Sequence, residues 1–162
     1  MAVALTFTSG DPQAASRVLV ASAQALAGRG EALWPPESLT PERLARHYPP
    51  AGWRVAWHAG AAVGCSVLLE RDPLFWPDDP PGEALYLHRL AVHPAAQGQG
   101  LAGLLLADAA AQARAAGRSW LRLDTASDRC KLRALYLGAG FVPVDEVQVG
   151  AYHVVRFELR LK

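Results

Sequence analysis

Residues 86–117 read YLHRLAVHPAAQGQGLAGLLLADAAAQARAAG, and the change of pattern along this stretch decides the fold. Leu85, Tyr86, Leu87, Leu90 and Val92 are the apolar and aromatic residues of a strand, and Pro94 stops it. Gln97-Gly98-Gln99-Gly100-Leu101-Ala102 comes next, followed by an alanine- and leucine-rich helix that ends at Gly117. A strand feeding a glycine-bearing loop at a helix N-terminus is built to receive an anion. The first-turn N–H groups have no intrahelical partner, and the helix dipole adds about half a positive charge. Glycines let a phosphate reach the backbone with no Cβ in the way.

Which phosphate the loop takes is the next question. Gly98, Gly100 and Gly103 fit a dinucleotide G-x-G-x-x-G loosely. Against that reading, the loop lies in mid-chain after several strands, and Asp124 is the only acid near the ribose position. A P-loop is excluded, because no Gly-Lys-Ser/Thr occurs in the sequence. An ordinary turn with helix-capping glycines is the structural alternative.

Gln97-x-x-Gly100-x-Ala102 resembles the Q/R-x-x-G-x-G/A motif of the Gcn5-related N-acetyltransferases (GNAT). The preceding Leu90-Ala91-Val92 and the downstream Tyr136 and Gly140-Phe141 resemble the same family at matching separations. The resemblance is strongest over residues 83–144 and extends more weakly over the chain. It implies that backbone groups of Gln97, Gly98, Gln99, Gly100, Leu101, Ala102 and Gly103 hold the pyrophosphate of acetyl-CoA. Leu90, Ala91 and Val92 would bind the pantetheine arm like an added strand. Tyr136 would bind the cofactor and protonate the departing thiolate, a role for which a phenol is reasonably matched. On the residues alone, Tyr136 reads first as a core tyrosine on the apolar stripe of its helix.

The base is less determined. Alternation from the strand start places Tyr86, His88, Leu90 and Val92 on one face. His88 titrates near neutrality and is similar to the second of two strand histidines in the arylalkylamine acetyltransferases, with Tyr86 at the position of the first. A structural, hydrogen-bonded histidine is the competing reading. Glu83 has the wrong parity, and Asp124 could act through a water. Arg129 stands where the family commonly has Asn. It is expected either to meet a coenzyme A phosphate or to belong, with Lys131 and Arg133, to a solvated basic face.

At 162 residues, with 51% hydrophobic and 19% charged residues, the chain suits a single globular domain over residues 1–162. A net charge of +1 gives no broad footprint for nucleic acid or an anionic membrane. Cys65 and Cys130 have no metal-ligand spacing, no metal site is expected, and Cys65 reads as a core residue. Met1 to Leu5 has no basic leader, and the longest apolar stretch ends at Asp108. A cytoplasmic compartment and no membrane span are therefore expected.

The remaining pattern gives a strand over residues 3–8 and a helix capped by Asp11 with Pro12 in its first turn, ending at Gly28. A second helix is read over residues 40–48. Strands 53–58 and 62–70 pair around Ala59-Gly60-Ala61, and the proline-rich segment 71–82 reads as a stiff exposed loop. Strand 120–125, a helix over 128–139 and a hairpin over 141–161 complete the order βααβββαβαββ. That order predicts an α/β (α+β) chain with a mixed, mostly antiparallel central sheet flanked by helices, and it resembles the acetyltransferase fold. The function so implied is transfer of acetyl from acetyl-CoA to a primary amine, expected on a small molecule, and a homodimer stays open. A non-catalytic acyl-CoA-binding module is the alternative, and a nucleotide-binding regulatory domain a weaker one.

Overall fold

The computed structural model describes residues 4–161. Its order is β1 (Thr6–Ser9), α1 (Pro12–Gly28), α2 (Pro41–Leu44), β2 (Trp53–His58), β3 (Ala61–Leu69), β4 (Ala84–Val92), α3 (Leu101–Ala115), β5 (Trp120–Ala126), α4 (Cys130–Gly138), β6 (Val142–Val149) and β7 (Tyr152–Arg160). This is the order read from the sequence. The strands form one seven-stranded sheet, β1-β2-β3-β4-β5-β7-β6. Of the registered pairs, β4 with β5 is parallel, and β1–β2, β2–β3, β5–β7 and β6–β7 are antiparallel. The expected first strand included Val3, which lies outside the described residues.

Two compact units divide the chain, and β4 and α3 contribute residues to both. The first unit comprises Met1–Leu68 and Arg89–Leu105. Its helix α1 begins as its cap residues dictate: the Asp11 carboxylate accepts the Ala14 N–H at 3.0 Å, and Pro12 occupies the first turn. Ala14, Ala15, Val18, Leu19 and Ala23 are buried along one face. Helix α2 is shorter than the pattern suggested. Thr40 caps it through the Arg43 N–H at 3.2 Å, but regular helix ends at Leu44, before the Pro49-Pro50 stop. The start of α3 packs tightly onto β3. A Cβ at Gly64 would lie 2.9 Å from Leu105 Cδ1, so glycine there is what lets the helix approach.

The second unit comprises Leu69–His88 and Leu106–Lys162. Its strand β5 pairs along its whole length with β7, from Trp120–Arg160 to Ala126–Val154. Pairing of β5 with β4 is brief and stops after Ala84–Trp120, Leu85–Leu121 and Tyr86–Arg122. The segment between β3 and β4 is mostly exposed, as expected of a stiff loop, but two of its side chains turn inward. Asp72 and Trp76 are buried. Arg122 donates to Asp79, Glu83 and Glu158 while lying over the rings of Trp76 and Trp120. Arg156 bonds the Phe75 carbonyl at 3.0 Å and stacks on Trp76 at 4.6 Å. Tryptophans between guanidinium groups give this proline-rich segment a fixed seat.

Candidate active site

In the first unit, β4 leads through a short 3-10 turn at Pro94–Ala96 into the glycine loop, and α3 starts at Leu101. The His93 N–H donates to the Val63 carbonyl at 2.8 Å, which ties this connection to β3. His93 Nδ1 accepts the Ala95 N–H at 3.1 Å and caps the turn. Gln97, Gly98, Gln99 and Gly100 are all exposed, whereas Leu101 is buried with Ala56, Val63, Ala96 and Leu105. The loop is thus presented outward from a helix whose first turn is anchored in the core.

Gly98 and Gly100 have φ values of 81° and 75°, in the left-handed region where side chains are strained. A Cβ built at either position, or at Gly103, meets no protein atom within 4 Å. Protein packing therefore does not account for these glycines. They front open space beside the N-terminus of α3, and their geometry fits an oxyanion approaching the backbone. The sequence placed Leu90, Ala91 and Val92 before this loop. Ala91 is buried, and Leu90 and Val92 are half-buried and packed against the same core.

The even alternation expected across Tyr86 to Val92 is broken. Arg89 has φ 52°, a left-handed value, so the side-chain parity set before it does not carry through to Leu90 and Val92.

The second unit brings together His88, Asp72, Asp124 and Tyr136. His88 Nε2 lies 2.9 Å from Asp72 Oδ2, and the Asp72 side chain is only 6% exposed. The other Asp72 oxygen accepts the Phe75 N–H at 3.2 Å. A carboxylate that accepts on both oxygens fixes the imidazole tautomer. In the neutral imidazole this puts the hydrogen on Nε2, facing Asp72, and the lone pair on Nδ1.

Asp124 follows the last paired residue of β5 toward β4 by two positions. Its Oδ1 is buried without a hydrogen-bond partner. Burial pushes this carboxyl up to about 6, with Asp72 raising it further and His88 and Arg156 opposing. Ligating atoms of Asp72, His88 and Asp124 lie within 4.8 Å of one another. A cation would have to break the direct His88–Asp72 bond to use all three.

Tyr136 is buried, with its ring 5.7 Å from Phe157 and 5.9 Å from Phe141. Burial, and then the Asp124 carboxylate, raises its phenol well above the usual range, so it holds its proton at neutral pH. It is the only buried residue of α4.

Three sequence expectations change. Glu83, a candidate base, is engaged by the Arg122 guanidinium. Arg133 is only partly solvated, being half-buried with its Nη1 donating to the Ser127 carbonyl at 2.8 Å. Asp72 was missed because it was read within an exposed loop; the Asp-Pro turn signal was its one visible trace. Arg129 marks the N-terminal boundary of α4 and is half-buried. Cys65 is buried and its thiol is raised by that burial, so it is inert core, as expected. No described helix is long and apolar enough to cross a membrane.

The sequence profile described as "Acetyltransferase (GNAT) family" matches residues 21–141. No curated protein matches the sequence significantly. Many solved structures share the fold. One described as an acetyltransferase from Salmonella typhimurium with acetyl-CoA is 21% identical, with a TM-score of 0.68 over 98% of this chain and 95% of its own. A GNAT-family protein from Desulfovibrio desulfuricans is 19% identical, with a TM-score of 0.74 over 98% of this chain and 100% of its own. A GNAT-family acetyltransferase from Elizabethkingia anophelis, solved with acetyl-CoA bound, is 21% identical, with a TM-score of 0.58 over 74% and 83%. At these identities the likeness is one of fold, and the acetyl-CoA in two of these structures is consistent with acetyl-CoA as cosubstrate.

Proposed function

The chain belongs to the GNAT acetyltransferase family, and from that premise we propose that it is a one-domain N-acetyltransferase that moves acetyl from acetyl-CoA to a primary amine of a small molecule. The observation that carries this reading is the outward loop with Gly98 and Gly100 at positive φ, fronting open space beside the start of α3. Backbone N–H groups from Gln97 to Gly103 hold the pyrophosphate, and the backbone of Leu90 to Val92 receives the pantetheine arm. Arg129 meets a coenzyme A phosphate.

Acetyl-CoA supplies the activated carbonyl; the side chains handle protons. The amine nitrogen attacks the thioester carbon, forming a C–N bond as the C–S bond breaks. The proton lost by the amine goes to His88 Nδ1, whose lone pair is set by the Asp72 bond at Nε2. Asp72 is thus a positioning residue. The Tyr136 phenol gives its proton to the departing thiolate, and its raised pKa keeps that proton in place beforehand. Each of these transfers contributes roughly 10²- to 10⁴-fold when well placed.

Gly100→Asp tests the cradle. It puts a Cβ and a carboxylate where the pyrophosphate lies, adding like-charge repulsion to a strained φ. Calorimetry with acetyl-CoA should show binding abolished while circular dichroism shows an intact fold. Unchanged affinity in a folded variant would remove the basis of the assignment.

A further inference from the structure

Arg89 sits in β4 immediately after His88, and its side chain is held in an unusual way. Its Nε donates to the Tyr48 hydroxyl at 3.1 Å. The guanidinium carbon lies 4.9 Å from the Trp34 ring centroid and 5.8 Å from that of Tyr48. Tyr48 in turn packs edge-on against Trp53 at 5.6 Å, and Trp53 is fully buried. The backbone of Arg89 is left-handed at φ 52°, which costs free energy for any side chain but glycine.

Among the described residues, no carboxylate forms an ion pair with the Arg89 guanidinium. Nor, among the described residues, is a carboxylate or carbonyl bonded to either of its terminal nitrogens; its Nε bonds Tyr48, and the Arg89 backbone carbonyl lies 3.7 Å from the Cys65 thiol. The other half-buried or buried arginines that stack on tryptophan are paired: Arg122 with Asp79, Glu83 and Glu158, and Arg156 with Asp145. Partly burying a guanidinium between aromatic rings without an acid is costly unless something else supplies the negative charge. With the Nε edge taken by the Tyr48 hydroxyl and the Trp34 ring over one face, the edge bearing the two terminal nitrogens is left. That edge carries parallel N–H donors whose spacing matches the two oxygens of a carboxylate.

We propose that Arg89, clamped by Trp34 and Tyr48, binds a carboxylate of the acceptor, so that the acceptor is an amino-acid-like molecule carrying both a primary amine and a carboxylate. This rests on the acetyltransferase reading, because it assigns the bound acid as the acceptor of that reaction. Arg89 is then a specificity residue, adjoining the base in the chain. Trp34 and Tyr48 come from the segments before and after α2, so the acceptor's identity is written in the part of the chain with the least regular structure.

The test is binding, with saturating coenzyme A present and no turnover needed. The probes are the common α-amino acids, each beside its methyl ester, measured by calorimetry against wild type, Arg89→Lys and Arg89→Asn. Asn tolerates the left-handed backbone, so this variant should fold, and circular dichroism checks that it does. At least one free acid should bind wild type, with its ester markedly weaker. That affinity should fall roughly 10- to 100-fold in Arg89→Asn, in line with loss of a charge-assisted pair, and less in Arg89→Lys. Acetyl-CoA affinity should not change. Equal binding of acids and esters, or no acid bound at all, overturns the proposal. So does a loss of acetyl-CoA affinity in Arg89→Asn, which would give the guanidinium to a coenzyme A phosphate. An acid that binds through Arg89 but is never acetylated supports the carboxylate site and refutes the acetyl-transfer reading instead.

Discussion

Asp72→Asn isolates the least conspicuous part of the mechanism. In the native chain one Asp72 oxygen accepts from Phe75 at 3.2 Å and the other faces His88 Nε2 at 2.9 Å. Asparagine has a single oxygen. The Phe75 N–H can bond only that oxygen, so the amide nitrogen is turned toward Nε2 and offers a hydrogen where one was accepted. The imidazole then answers by moving its own hydrogen to Nδ1, and the lone pair leaves the position from which it would take the amine proton. Loss of the charge-assisted bond is worth about 1.5–3 kcal/mol, which is roughly 10- to 100-fold. Loss of a placed base adds to this, and kcat/KM at neutral pH should fall by roughly 10²- to 10⁴-fold. Thiol release in the presence of an amine gives the rate. Heteronuclear NMR of the imidazole nitrogens gives the tautomer, so the loss of rate can be set against the position of the proton. A variant that keeps hydrogen on Nε2, or one that inverts the tautomer with no loss of rate, would refute the reasoning.

Three other perturbations follow from the same geometry. Tyr136→Phe keeps the ring between Phe141 and Phe157 and removes only the hydroxyl. Its kcat should fall roughly 10- to 1000-fold with little change in acetyl-CoA KM, and wild-type turnover would make Tyr136 a core residue only. His88→Ala should lose most activity at neutral and low pH, by roughly 10²-fold, and recover as pH rises past the amine's own pKa; a deficit that is flat with pH would indicate a packing role. Asp124 is raised from 3.8 to about 6, so the native state holds this proton more tightly than the unfolded chain does. Asp124 therefore weakens the fold as pH rises through about 4 to 6, and the penalty is fully present above that range. Asp124→Asn should stabilise the protein at pH 7 by up to about 3 kcal/mol in urea melts, with the gain vanishing near pH 3. A gain that is the same at both pH values would show that the carboxyl is not raised.

Local chemistry explains what was legible in the sequence. Asp11-Pro12 fixed the start of α1, and Gly98 and Gly100 marked a loop whose positive φ only glycine takes easily. Tyr136 and His88 were named from a family resemblance, and the structure places both beside Asp124. What escaped depends on long-range contacts. The Asp72–His88 bond joins residues 16 apart, and nothing in an Asp-Pro turn says where the carboxylate will point. The left-handed Arg89 leaves no mark in composition, because an arginine inside an apolar strand pattern reads as one more alternating residue. The segment over residues 71–82 is polar and proline-rich, as exposed loops are. Most of it is exposed; the burial of Trp76 comes from Arg122 and Arg156, which lie on other strands and close over its ring.

The most direct test of the account is amine-dependent thiol release by the wild-type protein. Acetyl-CoA is incubated with a panel of primary amines that includes free amino acids, coenzyme A thiol is titrated, and the acceptor is examined by mass spectrometry. The account predicts thiol release that requires both the protein and one class of amine, matched mole for mole by N-acetylated acceptor. Tight acetyl-CoA binding with no thiol release on any amine would contradict it and leave a chain that holds the cosubstrate without transferring its acetyl group.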